Sequence, residues 1–171
     1  KVFFASPTGG AAPSLLREWY NDKSTVLAAD SITVTAGGAF SANAVLAAGG
    51  NISGRVTSQS AGLGLGEVTV TAYDGAGAAV FSGTTDASGN YMVKSLPTGS
   101  YRVEFNPAAY NANTGGAYIR EYFNNKLLLA DADALSVTAG QTLSGVNAIL
   151  ATGGATISGR VTNAAGMGLR G

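Results

Sequence analysis

The hexapeptide Ile52-Ser53-Gly54-Arg55-Val56-Thr57 returns letter for letter as Ile157-Ser158-Gly159-Arg160-Val161-Thr162, 105 positions further on. The match extends well beyond those letters. Arg17-Glu18-Trp19-Tyr20-Asn21-Asp22-Lys23 aligns with Arg120-Glu121-Tyr122-Phe123-Asn124-Asn125-Lys126, and Val34-Thr35-Ala36-Gly37 with Val137-Thr138-Ala139-Gly140. Ala47-Ala48-Gly49-Gly50 and Ala151-Thr152-Gly153-Gly154 precede the two hexapeptides. The offset drifts from 103 to 105, as short loop insertions would make it. One structural unit therefore occurs in tandem, at a size that buries a core without metal or disulfide. The expected organisation is 1–50, the C-terminal part of one repeat; 51–153, one complete repeat; and 154–171, the start of a further repeat. Lys1-Val2-Phe3-Phe4 aligns with Arg102-Val103-Glu104-Phe105, inside the complete unit, so the expectation is a window on a longer array. Strand exchange, with 155–169 laid against a neighbour's 1–50, is the alternative origin of such ends. One donated strand would not complete that half, so the arbitrary cut is preferred.

Composition narrows the chemistry. There is no cysteine and no histidine, which removes disulfides, thiolate metal sites, imidazole ligands and every Ser-His triad. Charged residues make up 12%, ten of each sign, against about 25% in an ordinary soluble domain. Without a basic excess, nucleic acid and anionic membrane are poor partners. No apolar run approaches the roughly 20 residues of a membrane span. Thr, Ser, Asn and Gly supply the polarity instead. Such a surface suits a protein packed against its neighbours, or one outside the cell.

Apolar residues recur mostly at spacing two and glycines punctuate them, which points to strands. Within the complete unit these are 51–57, with Ile52, Gly54 and Val56 on one face, then 67–73, 78–85, 90–94, 101–105, 117–125, 134–138 and 143–151. Asp74-Gly75-Ala76-Gly77 and Asp86-Ala87-Ser88-Gly89 are turn signals between them. Leu63 and Leu65, in a glycine-rich loop, are expected to plug one end of the core, and 106–116 reads as loose loop. Seven or eight short strands with frequent turns make an all-β fold of tandem antiparallel β-sandwich domains. Residues 13–20 could pass for a short helix, but their counterpart 116–123 is β-rich, so both read as extended.

Ile52-Ser53-Gly54-Arg55-Val56-Thr57, Gly66-Glu67-Val68-Thr69-Val70, Thr85-Asp86-Ala87-Ser88-Gly89-Asn90-Tyr91 and Leu96-Pro97-Thr98-Gly99-Ser100-Tyr101-Arg102-Val103 follow one another in this order. The set resembles the carboxypeptidase regulatory-like domains and their kin, the collagen-adhesin B-type repeats of bacterial surface proteins. The resemblance spans about Ile52 to Phe105. It implies a transthyretin-like, seven-stranded sandwich serving as a non-catalytic spacer or stalk outside the cell, with no cofactor. Some B-type repeats carry an internal Lys–Asn isopeptide bond promoted by a buried acid. Here the resemblance puts Glu104 at the acid and Asn147 at the acceptor position. The first strand carries Arg55, however, and a guanidinium is no amine nucleophile. Packing rather than a crosslink is expected.

Several clusters have a chemical and a plain reading. Asp86, Ser88 and Asn90 alternate like the start of a calcium loop, but Pro97 stands where a late acid would be needed, so a hairpin turn is preferred. Asp131 and Asp133 form an acidic pair with only Asp30 matching in the first copy, which argues for solvated loop acids. Asn51-Ile52-Ser53 fits a glycosylation sequon, an accidental match in a bacterial protein. Trp19, Tyr20 and Asn21 in one copy, with Tyr122, Phe123 and Asn124 in the next, have the residue types that stack on sugars and bond hydroxyls. Equally, alternate rings could pack into the sandwich while the amides form a turn, or the rings could meet a neighbouring domain or chain. The leading expectation is a structural array of a prokaryotic surface protein or filament, whose partners are neighbouring repeats and identical chains in a fibre. The alternative is a glycan-binding or adhesive module with those rings exposed on one flat face.

Overall fold

The computed structural model describes residues 1–5, 14–153, 160–165 and 167–168. The strands, in chain order, are β1 Phe3–Phe4, β2 Glu18–Trp19, β3 Gly50–Ser58, β4 Thr69–Tyr73, β5 Ala79–Thr84, β6 Asn90–Leu96, β7 Gly99–Asn106, β8 Glu121–Tyr122, β9 Leu135–Val137, β10 Thr142–Leu143 and β11 Ala148–Leu150. One α-helix, α1 Ala108–Thr114, and a 3-10 turn, Leu129–Asp131, interrupt them.

Residues from Gly50 onward build two sheets. In the first, β3 pairs antiparallel with β6, while β10 and β11 run parallel to β3. In the second, the order is β5-β4-β7-β8, and β9 also pairs with β7. Alternation decides which side chains meet between the sheets. Ile52, Val56, Tyr91 and Val93 from the first and Val70, Ala72, Tyr101, Val103 and Phe105 from the second form one buried cluster. Leu65, Leu96, Val137, Val146, Ala148 and Leu150 close it. This is a β-sandwich, as the turn spacing leads one to expect.

Four details depart from the sequence reading; one is that 117–125, read as a single strand, holds only β8, with 123–125 in a turn. The closing strand is parallel to the opening one rather than antiparallel, and it is broken into β10 and β11 around Gly145, whose φ is +78°. Of the two loop leucines, Leu65 plugs the core at 1% exposure while Leu63 stands out at 67%. The stretch read as loose loop holds α1, which follows Pro107 and stops at Gly115 in the left-handed region. Its residues Ala108 and Ala109 favour helix, and Tyr110 packs edge-on against Tyr118, with ring centroids 5.6 Å apart. Of the segment 13–20, residue 13 lies outside the described residues and 14–19 are extended as expected: Leu15 bridges Ala48, Glu18–Trp19 is a strand, and Tyr20 opens the turn.

Several backbone bonds of the later copy recur in the earlier one. Phe3 and Phe4 pair with Trp19 and Glu18 as Glu104 and Phe105 pair with Tyr122 and Glu121. Leu16 N–H donates to Ala47 and Gly49 N–H to Ser14, just as Ile119 donates to Ala151 and Gly153 to Ala117.

Candidate functional site

The aromatic–amide cluster is a hairpin tip in both copies. Trp19 and Lys23 exchange backbone hydrogen bonds, and so do Tyr122 and Lys126. The three intervening residues turn the chain, and the last two adopt positive φ: 68° and 58° at Asn21 and Asp22, 67° and 57° at Asn124 and Asn125. Asn and Asp tolerate that region better than other side-chain-bearing residues, which explains the amides. Each tip is also tied to the loop that follows it. Asn21 Nδ2 donates to Asp30 Oδ2 at 2.8 Å, and Asn124 Nδ2 to Asp133 Oδ2. Asp30 and Asp133 are thus braces for the turn.

The rings do not share a face. Tyr122 points to the outer side of its sheet, where it meets Tyr73 with centroids 6.3 Å apart and is 7% exposed. Phe123, next in sequence, packs against the core. Trp19 lies 5.0 Å from Phe3, and Tyr20 meets Phe40 edge-on at 5.7 Å. In the complete unit, then, one ring lies against Tyr73 on the outer face and the next against the core. A turn role for the amides has a measurable signature. Asn124→Gly and Asn124→Ala both lose the bond to Asp133, but only alanine adds strain at positive φ, so Asn124→Ala is expected to be less stable than Asn124→Gly by about 1–2 kcal/mol. Thermal melts of the two variants check this; equal melting temperatures would contradict it.

Glu104 lies on that same outer face of β7, buried there at 5% exposure rather than between the two sheets. Tyr73 Oη donates to its Oε2 at 3.0 Å, and Arg120 pairs with its Oε1 at 3.3 Å. Burial, and then the bond to Glu104, push the Tyr73 hydroxyl up. Asn147 sits beside the other sheet, where its Oδ1 accepts the Arg55 backbone N–H at 2.8 Å. The two residues named for an isopeptide bond therefore lie on different sheets, each engaged elsewhere. Asn147 substitutes for a backbone acceptor where the edge strand breaks between β10 and β11.

A buried acid escaped the sequence reading. Glu121 sits opposite Phe105, 9% exposed, at the mouth of a groove shared with Gln59, Asn125, Ile149 and Ala151. Burial pushes its carboxyl up to about 7, from an ordinary 4.5. Between those values the folded state keeps a proton that the unfolded chain has released. Stability therefore falls as pH rises through this window. Glu121→Gln is expected to flatten that slope and to be more stable than the parent by about 1–2 kcal/mol at pH 8, water at the groove's mouth softening the effect. Melts at pH 5 and pH 8 test it; parallel pH profiles for the two proteins would refute it.

The calcium-like run resolves into a turn: Asp86 Oδ1 accepts the backbone N–H groups of Ser88 and Asn90, both at 2.9 Å. These bonds, led by that from Asn90, hold the carboxyl below its usual range. Asn51 is half-buried in β3 and its Nδ2 donates to Thr142. Among the described residues no group of three acidic side chains is placed to hold a metal ion. No helix among them is long and apolar enough to cross a membrane.

The whole sandwich, from the opening strand to the closing one, coincides with a match to the carboxypeptidase regulatory-like domain model over residues 51–151. The chain belongs to the carboxypeptidase regulatory-like domain family. Domains of this family are usually non-catalytic. Similar solved structures include the Bacillus anthracis TIE protein, at 20% identity and TM-score 0.44, covering 61% of this chain and 18% of that one. The Klebsiella pneumoniae 5-hydroxyisourate hydrolase is 22% identical with TM-score 0.42, covering 61% of this chain and 92% of that one. The minor pilin GBS52 of Streptococcus agalactiae is 14% identical with TM-score 0.42, over 66% of this chain and 48% of that one. No curated protein matches the sequence.

Proposed function

We propose that this carboxypeptidase regulatory-like chain is a structural, non-enzymatic tandem-repeat module of a prokaryotic cell-surface protein or extracellular filament, a stalk or fibre building block. The observation that carries the reading is the recurrence of one hydrogen-bond pattern in successive copies, including the strand pair, the hairpin tip and its Asn–Asp brace. In this reading 1–50 ends one repeat, 51–153 is a complete repeat and 154–171 opens another. Sandwiches with local cores can be strung in series, and a joint of two glycines leaves little slack between them. The absence of His and Cys and the balanced charge fit a role by packing rather than by chemistry. The partners are then neighbouring repeats and identical chains. Electron microscopy of the native material is the direct test. Long thin fibres with regular beads are expected; discrete globular particles would sink the proposal.

A further inference from the structure

The two glycines at the joint suggest a swivel, but the structure fills the space around them. A Cβ on Gly49 would lie 2.6 Å from Ser95 Cα and 3.1 Å from Leu16 Cδ2, so the glycine is there for close approach. Ser95 itself is strained. It is a non-glycine residue at φ +65°, near the end of β6, where the β3–β6 register shifts. Such conformations persist where surrounding structure holds them. What holds this one comes from the preceding copy: Ser14 Oγ accepts the Ser95 backbone N–H at 2.8 Å. Three residues on, the Arg17 guanidinium lies 4.7 Å from the centre of the Phe81 ring, on β5 of the other sheet. Phe81 is half-buried and packs against the core. One short segment thus touches both sheets of the following sandwich, at a backbone N–H on one and a ring face on the other.

We propose that Ser14–Arg17 is a latch that docks each preceding unit onto the Phe81 and Ser95 surface of the next and fixes the angle between them. The partner is the neighbouring copy within the same chain. The equivalent positions of the later copy carry different residues and contacts. Ala117 replaces Ser14 and has no hydroxyl to offer, and Arg120, the counterpart of Arg17, turns back to Glu104. In the earlier copy Phe3 stands in place of Glu104, so Arg17 lacks that carboxylate and reaches forward.

The chain has no cysteine, so two can be introduced as unique spin-label sites, Leu27→Cys and Ala87→Cys, both exposed. Double electron–electron resonance on the full chain then reads the distance between the copies. The parent is expected to give one narrow distribution, and Ser14→Ala with Arg17→Ala to broaden it about twofold as the joint reverts to a short flexible linker. Circular dichroism confirms that both remain folded. A broad distribution in the parent, or an unchanged width in the double variant, overturns the latch. The inference rests on the tandem-unit reading, whose failure looks different: native material without beaded fibres would sink that reading and leave the distance distribution as it is.

Discussion

Gly54→Ala is expected to destabilise the sandwich by about 3–5 kcal/mol, a large share of the roughly 5–15 kcal/mol that a domain possesses. The reason is the close crossing of the edge strand over β3. A Cβ at position 54 would lie 2.0 Å from the Val146 carbonyl oxygen and 2.5 Å from its carbon. That carbonyl cannot yield freely, because it accepts the buried Tyr91 hydroxyl at 2.6 Å, and the Val146 N–H donates to Ser53. Moving it breaks the tyrosine bond or the pairing of β3 with the edge strand. Gly75→Ala is the control: a methyl carbon there would meet nothing within 4 Å, and the residue has no positive φ, so its replacement is expected to be neutral or stabilising by up to about 1 kcal/mol. Urea unfolding of both variants decides the matter. A midpoint for Gly54→Ala equal to that of Gly75→Ala would show that the crossing can relax. The crossing accounts for the glycine of the first hexapeptide, Ile52-Ser53-Gly54-Arg55-Val56-Thr57.

Phe105→Ala carries the second large effect, about 3–5 kcal/mol, or a fall in melting temperature of some 12 °C or more for a unit of this size. Phe105 is fully buried, meets Tyr91 edge-on with centroids 5.9 Å apart, and lies where β7 joins β4 to β8. Its removal leaves a void between the sheets that the surrounding β-branched residues, fixed in their rotamers, fill only in part. Phe105→Leu keeps most of the volume and is expected to cost about 1–1.5 kcal/mol. Calorimetry on the two variants tests the ranking; a Leu variant as damaged as the Ala variant would mean that the ring stacking, not the volume, dominates.

Much of the candidate site was legible as pattern and illegible as geometry. The duplication of Trp19-Tyr20-Asn21 in Tyr122-Phe123-Asn124 announced that something recurs there. It did not separate a binding platform from a turn, because Asn suits both. The backbone angles at Asn21, Asp22, Asn124 and Asn125 favour the turn, and strand alternation sends Tyr122 and Phe123 to opposite faces. Glu121 gave no signal at all. A charged residue beside arginine reads as surface, and its burial depends on β8 pairing with Phe105 from a strand some 15 positions away. The helix α1 was signalled weakly, by Pro107 at one end and Gly115 at the other, but the asparagines between them favoured loop.

The sequence by itself determined that its segments recur, that residues 51–151 form a β-sandwich, and which alternating residues fill its core. These rest on period and local turn chemistry, which need only neighbouring residues. The tertiary structure decided what depends on distant parts meeting: the parallel closure of β10 and β11 on β3, the outward setting of Glu104, the burial of Glu121 and the docking of Ser14 and Arg17 on the next sandwich. Those contacts join residues up to about 90 positions apart, and register and close approach across such separations are set by three-dimensional packing, which no local period encodes.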